Sequence, residues 1–400
     1  MELDTYFDTT DLSDTLANNA SIIKVVGVGG GGSNAVNHMF NRGIKDVTFV
    51  VCNTDQQALQ HSPVSQQIIL GDDGLGAGGR PENAASAVSK SLTKIEKMLT
   101  DTPTKMVFIT AGMGGGTGTG AAPIIAKVAH DLGILTVGVV TIPYAFEGKL
   151  KINQALRGVL EMSKNVDAIL VVNNEKLCEI YPDLDMLHSF EVADEVLTTA
   201  VKSIAEIITV HGYMNIDFAD VNTIMKDSGI AIMNIGVGEG ENRVMDAINN
   251  ALKSPLLENT DVRNSKRILL NISCSSEKGI LGREVTQVRE FMEQMIDDVN
   301  VITGVSFDDS LGEKVKITII ATGFTSEALP KAAPKQNSNG NTTAEDRKKE
   351  GLEIDRSRSE YYGNTVPGEN KNRNERPILP DLDDDKVLAE IQNTPAYQRI

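Results

Sequence analysis

Two glycine-rich segments constrain the fold of this chain more than any other feature of its sequence. The first, Gly27–Asn34, follows the apolar run Ile22–Val26 and precedes a helical stretch. The second, Gly112–Gly120, follows the short apolar run Val107–Thr110 in the same way. A strand, a tight turn and a helix in this order bring backbone N–H groups and the positive end of a helix dipole together, which suits a phosphate. Two such turns predict a polyphosphate held from two sides.

Further β-branched runs continue the pattern, at Val47–Cys52, Thr136–Ile142 and Ala168–Val172. Strands that alternate with helical segments predict an α/β fold with a Rossmann-like parallel sheet, covered by helices on both faces. Residues Ser189–His211 predict a long central helix of about 34 Å, with Ser189 as its N-cap.

The remainder of the chain predicts a second domain and a tail. The strand-like runs Arg267–Cys274 and Lys314–Thr322 favour a smaller α+β domain. Ser326–Arg376 mixes charges with almost no apolar periodicity, as is typical of a disordered tether, and Asp381–Ile400 regains an amphipathic pattern. The predicted organisation is a flexible segment 1–20, a nucleotide-binding domain 21–188, a central helix 189–213, an α+β domain 214–325, a disordered linker 326–380 and a docking peptide 381–400.

Composition excludes several classes of function. The 400 residues carry a formal net charge of −17, and a protein that coats nucleic acid needs a basic face. The longest strongly apolar stretch, Gly133–Ile142, is about half the length of a membrane-crossing helix. Residues Met1–Asp14 are acidic and lack the pattern of an export signal. We therefore expect a cytoplasmic protein with no nucleic-acid partner and no direct membrane insertion.

The glycine-rich segments leave alternatives open. A single segment of this kind also fits a tight turn without a ligand, or the cofactor site of a dinucleotide-dependent oxidoreductase. The second segment counts against the oxidoreductase. Neither segment contains Gly-Lys-Ser/Thr, which excludes a P-loop ATPase. Without that lysine, the phosphate charge must be met by amides, helix dipoles and a cation such as Mg²⁺.

Phe190 and Asp194 indicate the base. They lie one helical turn apart and share a helix face. An aromatic ring there can stack on a base, and a carboxylate can accept hydrogen bonds from both N1–H and the 2-amino group of guanine. Adenine has an unprotonated N1 at that edge, so the pair favours GTP over ATP. The alternative is a core phenylalanine beside a solvated aspartate.

Asp217 and Asp220 are the candidate catalytic acids, in the segment Asn215–Asp220 beyond the predicted central helix. Two carboxylates can orient an attacking water, although a solvated helix start is the commoner use of this spacing. If Asp194 contacts the base at one end of a helix about 30 Å long, these acids cannot reach the γ-phosphate of the same nucleotide. They are either not catalytic or act on a neighbouring copy, in a head-to-tail contact that generates filaments.

Together these motifs resemble the FtsZ family of tubulin-like GTPases over about residues 20–324. Gly114–Gly120 is similar to the signature loop of the tubulin superfamily, and Thr394–Arg399 resembles the family's terminal docking peptide. The other similar motifs are Gly27–Asn34, Asn53–Asp55, Gly74–Gly78, Phe146–Lys149 and Asn215–Asp220.

The resemblance implies a GTPase that assembles head to tail with itself into the division ring at the septum of a bacterial cell. It implies GTP/GDP as nucleotides with Mg²⁺, and a membrane tether such as FtsA as the partner of residues 381–400. The positions that would hold the phosphates are Gly30, Gly31, Gly32, Ser33, Asn34, Gly116, Thr117 and Gly118. Those at the ribose and base would be Glu147, Lys151, Asn174, Phe190 and Asp194, and those inserted into the next copy's site Asn215, Asp217 and Asp220.

Two departures from the family pattern keep one more alternative open, a scaffold of the same fold that does not hydrolyse GTP. Lys151 stands where the family usually has arginine, which replaces a planar bidentate donor with a point charge. The loop Gly71–Gly74 carries Asp72 and Asp73 where the family often has a basic residue. Two added carboxylates beside a phosphate site are expected to slow hydrolysis or to raise its dependence on cations.

Overall fold

The computed structural model describes residues 21–183, 185–210, 212–252, 265–293, 299–324 and 344–363. The predicted N-terminal segment 1–20 and docking peptide 381–400 lie outside the described residues. Within those ranges, no helix combines the length and the hydropathy that crossing a bilayer requires.

A six-stranded parallel sheet forms the first domain. Its strands are β1 (Ile23–Val28), β2 (Thr48–Asn53), β3 (Gln66–Ile69), β4 (Met106–Gly112), β5 (Leu135–Ile142) and β6 (Ala168–Asn173). Their order is β3-β2-β1-β4-β5-β6, and every neighbouring pair is parallel. All six residues of β1 are buried, because helices cover both faces of the sheet. The predicted Rossmann-like parallel sheet is confirmed.

Helices cover this sheet in two layers, each with its own apolar core. The helices of this domain are α1 (Gly29–Asn41), α2 (Gln56–Gln60), α3 (Pro81–Ser89), α4 (Leu92–Thr100), α5 (Gly116–Asp131), α6 (Lys149–Ser163) and α7 (Asn174–Ile180). One core lies between the sheet and α3 to α6. The other lies between the sheet and α1, and it continues under the long helix α8 (Met186–Thr209).

Helix α8 is the predicted central helix, and its 24 residues give it a length of about 36 Å. Its buried residues Ala200, Ile204 and Ile207 recur at three- and four-residue steps. The prediction of Ser189 as N-cap is wrong. The helix begins one turn earlier, because the side chain of Asp185 accepts a hydrogen bond from the backbone N–H of His188.

The second domain is a mixed sheet with helices on it, as predicted. Its elements are β7 (Gly212–Met214), α9 (Phe218–Met225), β8 (Gly229–Gly238), α10 (Arg243–Leu252), β9 (Arg267–Cys274), α11 (Gly282–Glu293), β10 (Asn300–Phe307) and β11 (Val315–Thr322). The strand order is β8-β11-β9-β10-β7. The two sheets meet where β6 pairs with β8 at two positions, Ala168 with Gly229 and Ile169 with Ile230. A third apolar core belongs to this domain alone.

A final helix, α12 (Ala344–Tyr362), lies inside the segment 326–380 that the sequence predicts as a disordered linker. The prediction is wrong for these residues. Ile354 and Tyr362 are each 4% exposed and belong to the apolar core of the first domain. The helix is ordered by tertiary contact, because its own composition is strongly polar.

Candidate nucleotide-binding site

The two glycine-rich segments lie against each other at one edge of the first sheet. Helix α1 begins at Gly29 and helix α5 at Gly116, directly after β1 and shortly after β4. A Cβ atom built on Gly29 would lie 2.8 Å from the backbone nitrogen of Gly118, and one built on Gly31 would lie 3.2 Å from the Cα of Gly112. Two helix N-termini, each with unpaired N–H groups, therefore meet in one place.

The glycines of these loops serve two different purposes. A Cβ on Gly32 would lie 2.3 Å from the carbonyl oxygen of Thr110, and one on Gly118 would lie 2.5 Å from that of Gly112, so these glycines permit close backbone packing. Gly30 has no described atom within 4 Å of its built Cβ. It leaves room for a ligand to approach the backbone amides.

Polar side chains line the same helix starts. Ser33 is buried, and its hydroxyl has no hydrogen-bond partner among the residues that the structure describes. A buried hydroxyl without a partner is costly, so Ser33 suits a phosphate oxygen. Thr117 lies 2.7 Å from Thr54, measured between their Oγ1 atoms, and Asn34 is exposed.

A third loop, residues 71–80, lies over the start of α5. The backbone nitrogen of Gly76 donates to the carbonyl of Thr54 at 2.9 Å. A Cβ on Gly116 would lie 2.9 Å from the Cβ of Ala77, so only glycine fits beneath this loop. The loop therefore borders the candidate phosphate site, and its Asp72 pairs with Lys90 at 3.2 Å, outside the glycine-rich segments.

Gln154 of α6 fixes the third loop to the second glycine-rich segment. Its side-chain nitrogen lies 3.2, 3.0 and 3.1 Å from the carbonyl oxygens of Gly79, Gly114 and Gly115. One side-chain amide thus fixes the positions of two loops relative to each other. Gln154 acts on the candidate site through those loops and is a positioning residue.

Glu147 and Lys151 lie beside these loops. The Glu147 carboxylate accepts a hydrogen bond from the backbone nitrogen of Tyr144 at 2.9 Å and pairs with the Lys151 ammonium. The stem of Lys151 packs on the second glycine-rich segment, since its Cγ lies 3.0 Å from a Cβ built on Gly114. The stem of Lys151 therefore borders the second glycine-rich segment while its ammonium pairs with Glu147.

An aromatic cluster lies next to these two residues. The ring of Tyr144 contacts the ring of Phe190 edge to face, with centroids 5.1 Å apart, and stacks on Phe146 at 5.3 Å. Phe190 is 40% exposed, so one part of its ring is available to a planar ligand. Burial raises the pKa of the Tyr144 phenol, and the charge of Asp194, one turn further along α8, is one of several nearby charges that add to this shift.

Asn174 completes this side of the site. It is the first residue of α7, whose N-cap is Asn173. Asn174 is buried, and its side-chain oxygen has no hydrogen-bond partner within the described ranges. A buried amide oxygen without a partner is suited to a polar donor such as an N–H group of a base.

The Asp194 carboxyl has an unusual protonation equilibrium. Burial, together with the nearby charge of Glu191, raises its pKa from 3.8 to about 7. Donors such as the N1–H and amino groups of guanine would favour the carboxylate form of this group. Perturbed groups of this kind often mark functional sites.

Asn215, Asp217 and Asp220 lie beyond the opposite end of α8, and the structure does not bring them to the glycine-rich loops. Asp217 is the N-cap of α9, and its side chain accepts from the backbone nitrogen of Asp220 at 2.9 Å. The Asp220 side chain accepts from the backbone nitrogen of Asp217 at 3.1 Å. This reciprocal capping box fixes both carboxylates in orientation. The Asn215 side chain accepts from the backbone nitrogen of Gly212 at 2.6 Å.

Large apolar side chains are exposed at both ends of the molecule. Leu75 and Leu150 beside the glycine-rich loops are 88% and 84% exposed, and Tyr213 beside the paired acids is 82% exposed. Such side chains at two opposite ends suit a contact between copies that stack end to end.

Sequence reasoning missed two residues of this site, Tyr144 and Gln154. Both act through partners that are distant along the chain, such as Phe190 for Tyr144 and Gly79 for Gln154. No local spacing marks such contacts. The one sequence signal for Tyr144 was its position in the segment Pro143–Lys149, between a buried strand and a helix, because loops at strand ends carry function in parallel sheets.

The fold and the site define a nucleotide-binding protein of the tubulin-like class. Residues 22–182 match the GTPase domain of the Tubulin/FtsZ family, and residues 229–325 match the C-terminal domain of the FtsZ family. The chain belongs to the FtsZ family, and its first domain is a GTPase domain. This finding overturns the alternative of a dinucleotide-dependent oxidoreductase.

Individual relatives agree with this assignment. The chain is 46% identical over 389 residues to the cell division protein FtsZ of Porphyromonas gingivalis, a match that covers 94% of this chain and 85% of that protein. It is 41% identical over 333 residues to the FtsZ of Wigglesworthia glossinidia brevipalpis, covering 82% and 85%. A solved dimer of FtsZ from M. jannaschii is similar with a TM-score of 0.70 and 33% identity, covering 83% of this chain and 100% of that one.

Proposed function

We propose that this chain is a polymerising GTPase of bacterial cell division whose catalytic site is completed by a second copy bound head to tail. One observation supports the completion of the catalytic site by a second copy. The candidate nucleotide site and the paired acids Asp217 and Asp220 lie at opposite ends of a helix about 36 Å long. A copy that hydrolyses its own GTP would need both at one place.

The nucleotide would be held from three directions. The amides of Gly30 to Asn34 and of Gly116 to Gly118 would hold the phosphates at two helix N-termini. Glu147 and Lys151 would lie at the ribose. Asn174, Phe190 and Asp194 would surround guanine, with the Asp194 carboxylate accepting from the two donors that adenine lacks.

Mg²⁺ would be held mainly by the phosphate oxygens and would neutralise charge that develops on them. The described residues include one cluster of three side chains suited to a metal, His130 with Asp167 and Asp227. His130 lies in the last turn of α5, whose first turn is the candidate phosphate site, so the cluster does not fit this role. The protein's own contribution to the phosphate charge is therefore amides, helix dipoles and Lys151.

Asp217 and Asp220 would orient the attacking water in the site of the next copy. The capping box holds both carboxylates before that copy arrives, so little ordering is left to the moment of contact. The water would attack the γ-phosphorus, and the bond from the γ-phosphorus to the β–γ bridging oxygen would break, so that GDP leaves with that oxygen. The carboxylates would take up the proton of the water. Loss of the γ-phosphate would weaken the contact between copies and allow turnover.

The proposed site of action is a ring at mid-cell in the cytoplasm, with residues 381–400 bound to a membrane tether such as FtsA. The support is the resemblance of Thr394–Arg399 to the family's docking peptide.

The proposal is tested by assembly and hydrolysis in one sample. Purified chain with Mg²⁺ is expected to sediment with GTP but not with GDP or ATP, and to release phosphate from GTP only. Sedimentation with GTP but without phosphate release would identify the non-hydrolysing scaffold instead. Absence of guanine-nucleotide binding would overturn the proposal as a whole.

A further inference from the structure

The helix α12 presents one face to the first domain. Among its residues from 351 onward, the positions turned toward the domain are Ile354, Ser357, Arg358, Tyr361 and Tyr362, at steps of three and four. Leu352, on a different face, is 63% exposed. This periodicity is that of a helix packed along one side.

The contacts of this face are specific as well as apolar. The hydroxyl of Tyr362 donates to the carbonyl of Pro143 at 2.6 Å. The side-chain nitrogen of Asn173 donates to the carbonyl of Tyr361 at 2.7 Å. Arg358, which is 7% exposed, donates to the side-chain oxygen of Asn153 at 3.2 Å. Buried polar groups that all find partners indicate a defined docking geometry.

Each of these partners adjoins a residue of the candidate nucleotide site. Pro143 precedes the turn that carries Glu147, and Asn173 precedes Asn174 and caps its helix. Asn153 lies between Lys151 and Gln154 on α6. The helix therefore contacts the three segments that carry the proposed ribose and base residues.

The docked helix leaves the assembly face accessible. Leu75 and Leu150 remain 88% and 84% exposed with α12 in place. Its docking is thus compatible with a second copy bound at the glycine-rich loops, and α12 is not a plug for that surface.

The chain is long enough for this helix to come from the same copy. Residues 325–343 join the last strand of the second domain to α12, and 19 residues span at most about 65 Å. A domain of this size is smaller than that span.

We propose that α12 is a docking element of the C-terminal linker that holds the ribose and base loops of its own copy in the nucleotide-binding arrangement. The proposal rests on the proposed function, because it takes residues 143–174 as part of a guanine-nucleotide site. Undocking of α12 would loosen those loops and weaken nucleotide binding, so that the tail and the nucleotide site are coupled.

The test is Tyr362→Ala in the full-length chain, measured below the concentration at which copies associate. The dissociation constant for GDP is expected to rise about fivefold, at the lower end of coupling between sites. Amide hydrogen exchange in residues 143–163 is expected to speed up. Leu352→Ala, on the exposed face of the same helix, is expected to change neither. Tyr362→Phe keeps the ring but loses the bond to Pro143, and is expected to show a smaller rise than Tyr362→Ala.

Three results would overturn the proposal. Unchanged exchange in Tyr362→Ala would show that the helix does not dock. Faster exchange with an unchanged GDP dissociation constant would show docking without coupling. Protection of residues 143–163 that grows with protein concentration in the wild-type chain and is lost in Tyr362→Ala would show that the helix comes from a second copy. If the wild-type chain does not bind GDP, the proposed function fails, whereas the exchange comparison still decides whether α12 docks.

Discussion

Asp194 combines burial with a proposed role, recognition of guanine, that requires a charged carboxylate. Its carboxyl lies on a half-buried face of α8, where burial raises its pKa to about 7. An acid whose pKa is raised in the folded state binds a proton there that the unfolded chain has lost. The contribution of Asp194 to the free energy of unfolding therefore falls as pH rises from about 4 to about 7.

Guanine binding is expected to show the opposite pH dependence. With a pKa of about 7, Asp194 is about nine-tenths ionised at pH 8 and about one-tenth ionised at pH 6. Because only the carboxylate accepts from guanine, the GDP dissociation constant should rise about tenfold as the pH falls from 8 to 6. Calorimetric titration with GDP at several pH values measures this. Asp194→Asn should bind GDP more weakly, with an affinity that does not depend on pH. This variant distinguishes titration of Asp194 from titration of His188, whose pKa is raised by its hydrogen bond with Asp185. A flat wild-type profile would contradict the assignment.

At this scale, local spacing in the sequence indicated the site residues that share one segment. Phe190 and Asp194 share a helix turn, and Asp217 and Asp220 have the spacing of a helix start, which the structure shows as a reciprocal capping box. The contacts of the Tyr144 ring and of the Gln154 amide depend on how α6, α8 and the loops pack, which no local pattern encodes. The roles of all these residues toward nucleotide remain predictions.

In the two glycine-rich helix starts, some glycines are required for close packing and others leave space for the proposed ligand. Helix α5 approaches α3 so closely that a Cβ on Gly120 would lie 2.1 Å from the carbonyl oxygen of Pro81. Helix α1 leaves space above Gly30, where no described atom lies within 4 Å of a built Cβ. The same substitution should therefore have different effects at the two positions.

Gly120→Ala is expected to lower the free energy of unfolding by about 1–3 kcal/mol through overpacking against α3. Gly30→Ala is expected to leave it within about 0.5 kcal/mol while weakening GDP binding, because its methyl group enters the candidate phosphate site. Urea unfolding without nucleotide, followed by GDP titration, measures both. Equal stability losses in the two variants would show that Gly30 is also a packing position.

Sequence patterning predicted most elements but missed α12. Most strands of the first domain are near-continuous apolar runs and its helices repeat apolar residues every three to four positions, which tertiary structure only reinforces. The buried face of α12 includes Ser357 and Arg358, so its apolar periodicity is weak and its composition resembles that of a disordered tether. The spacing of Ile354, Tyr361 and Tyr362 at i, i+7 and i+8 was the remaining signal of a packed helix. It can be interpreted only when the surface on which these residues pack is known.

At the scale of the whole molecule, the two domains and α8 place the candidate nucleotide site at one end and a pair of oriented acids at the other. Both ends expose large apolar side chains. In the proposed mechanism, the length of helix that prevents a single copy from completing its own site allows a stacked pair to complete it. Assembly and hydrolysis are then consequences of one geometry.

The most direct test of this account is phosphate release per chain as a function of protein concentration, for the wild-type chain and Asp220→Asn. Asparagine keeps a side-chain oxygen that can accept from the backbone of Asp217, so the capping box and the fold are preserved while the charge is lost. Wild-type release per chain should rise above a threshold concentration. Asp220→Asn should still bind GTP and release phosphate at least about 100-fold more slowly. Wild-type release per chain that does not depend on concentration would mean that each copy hydrolyses alone, which contradicts a site shared between copies.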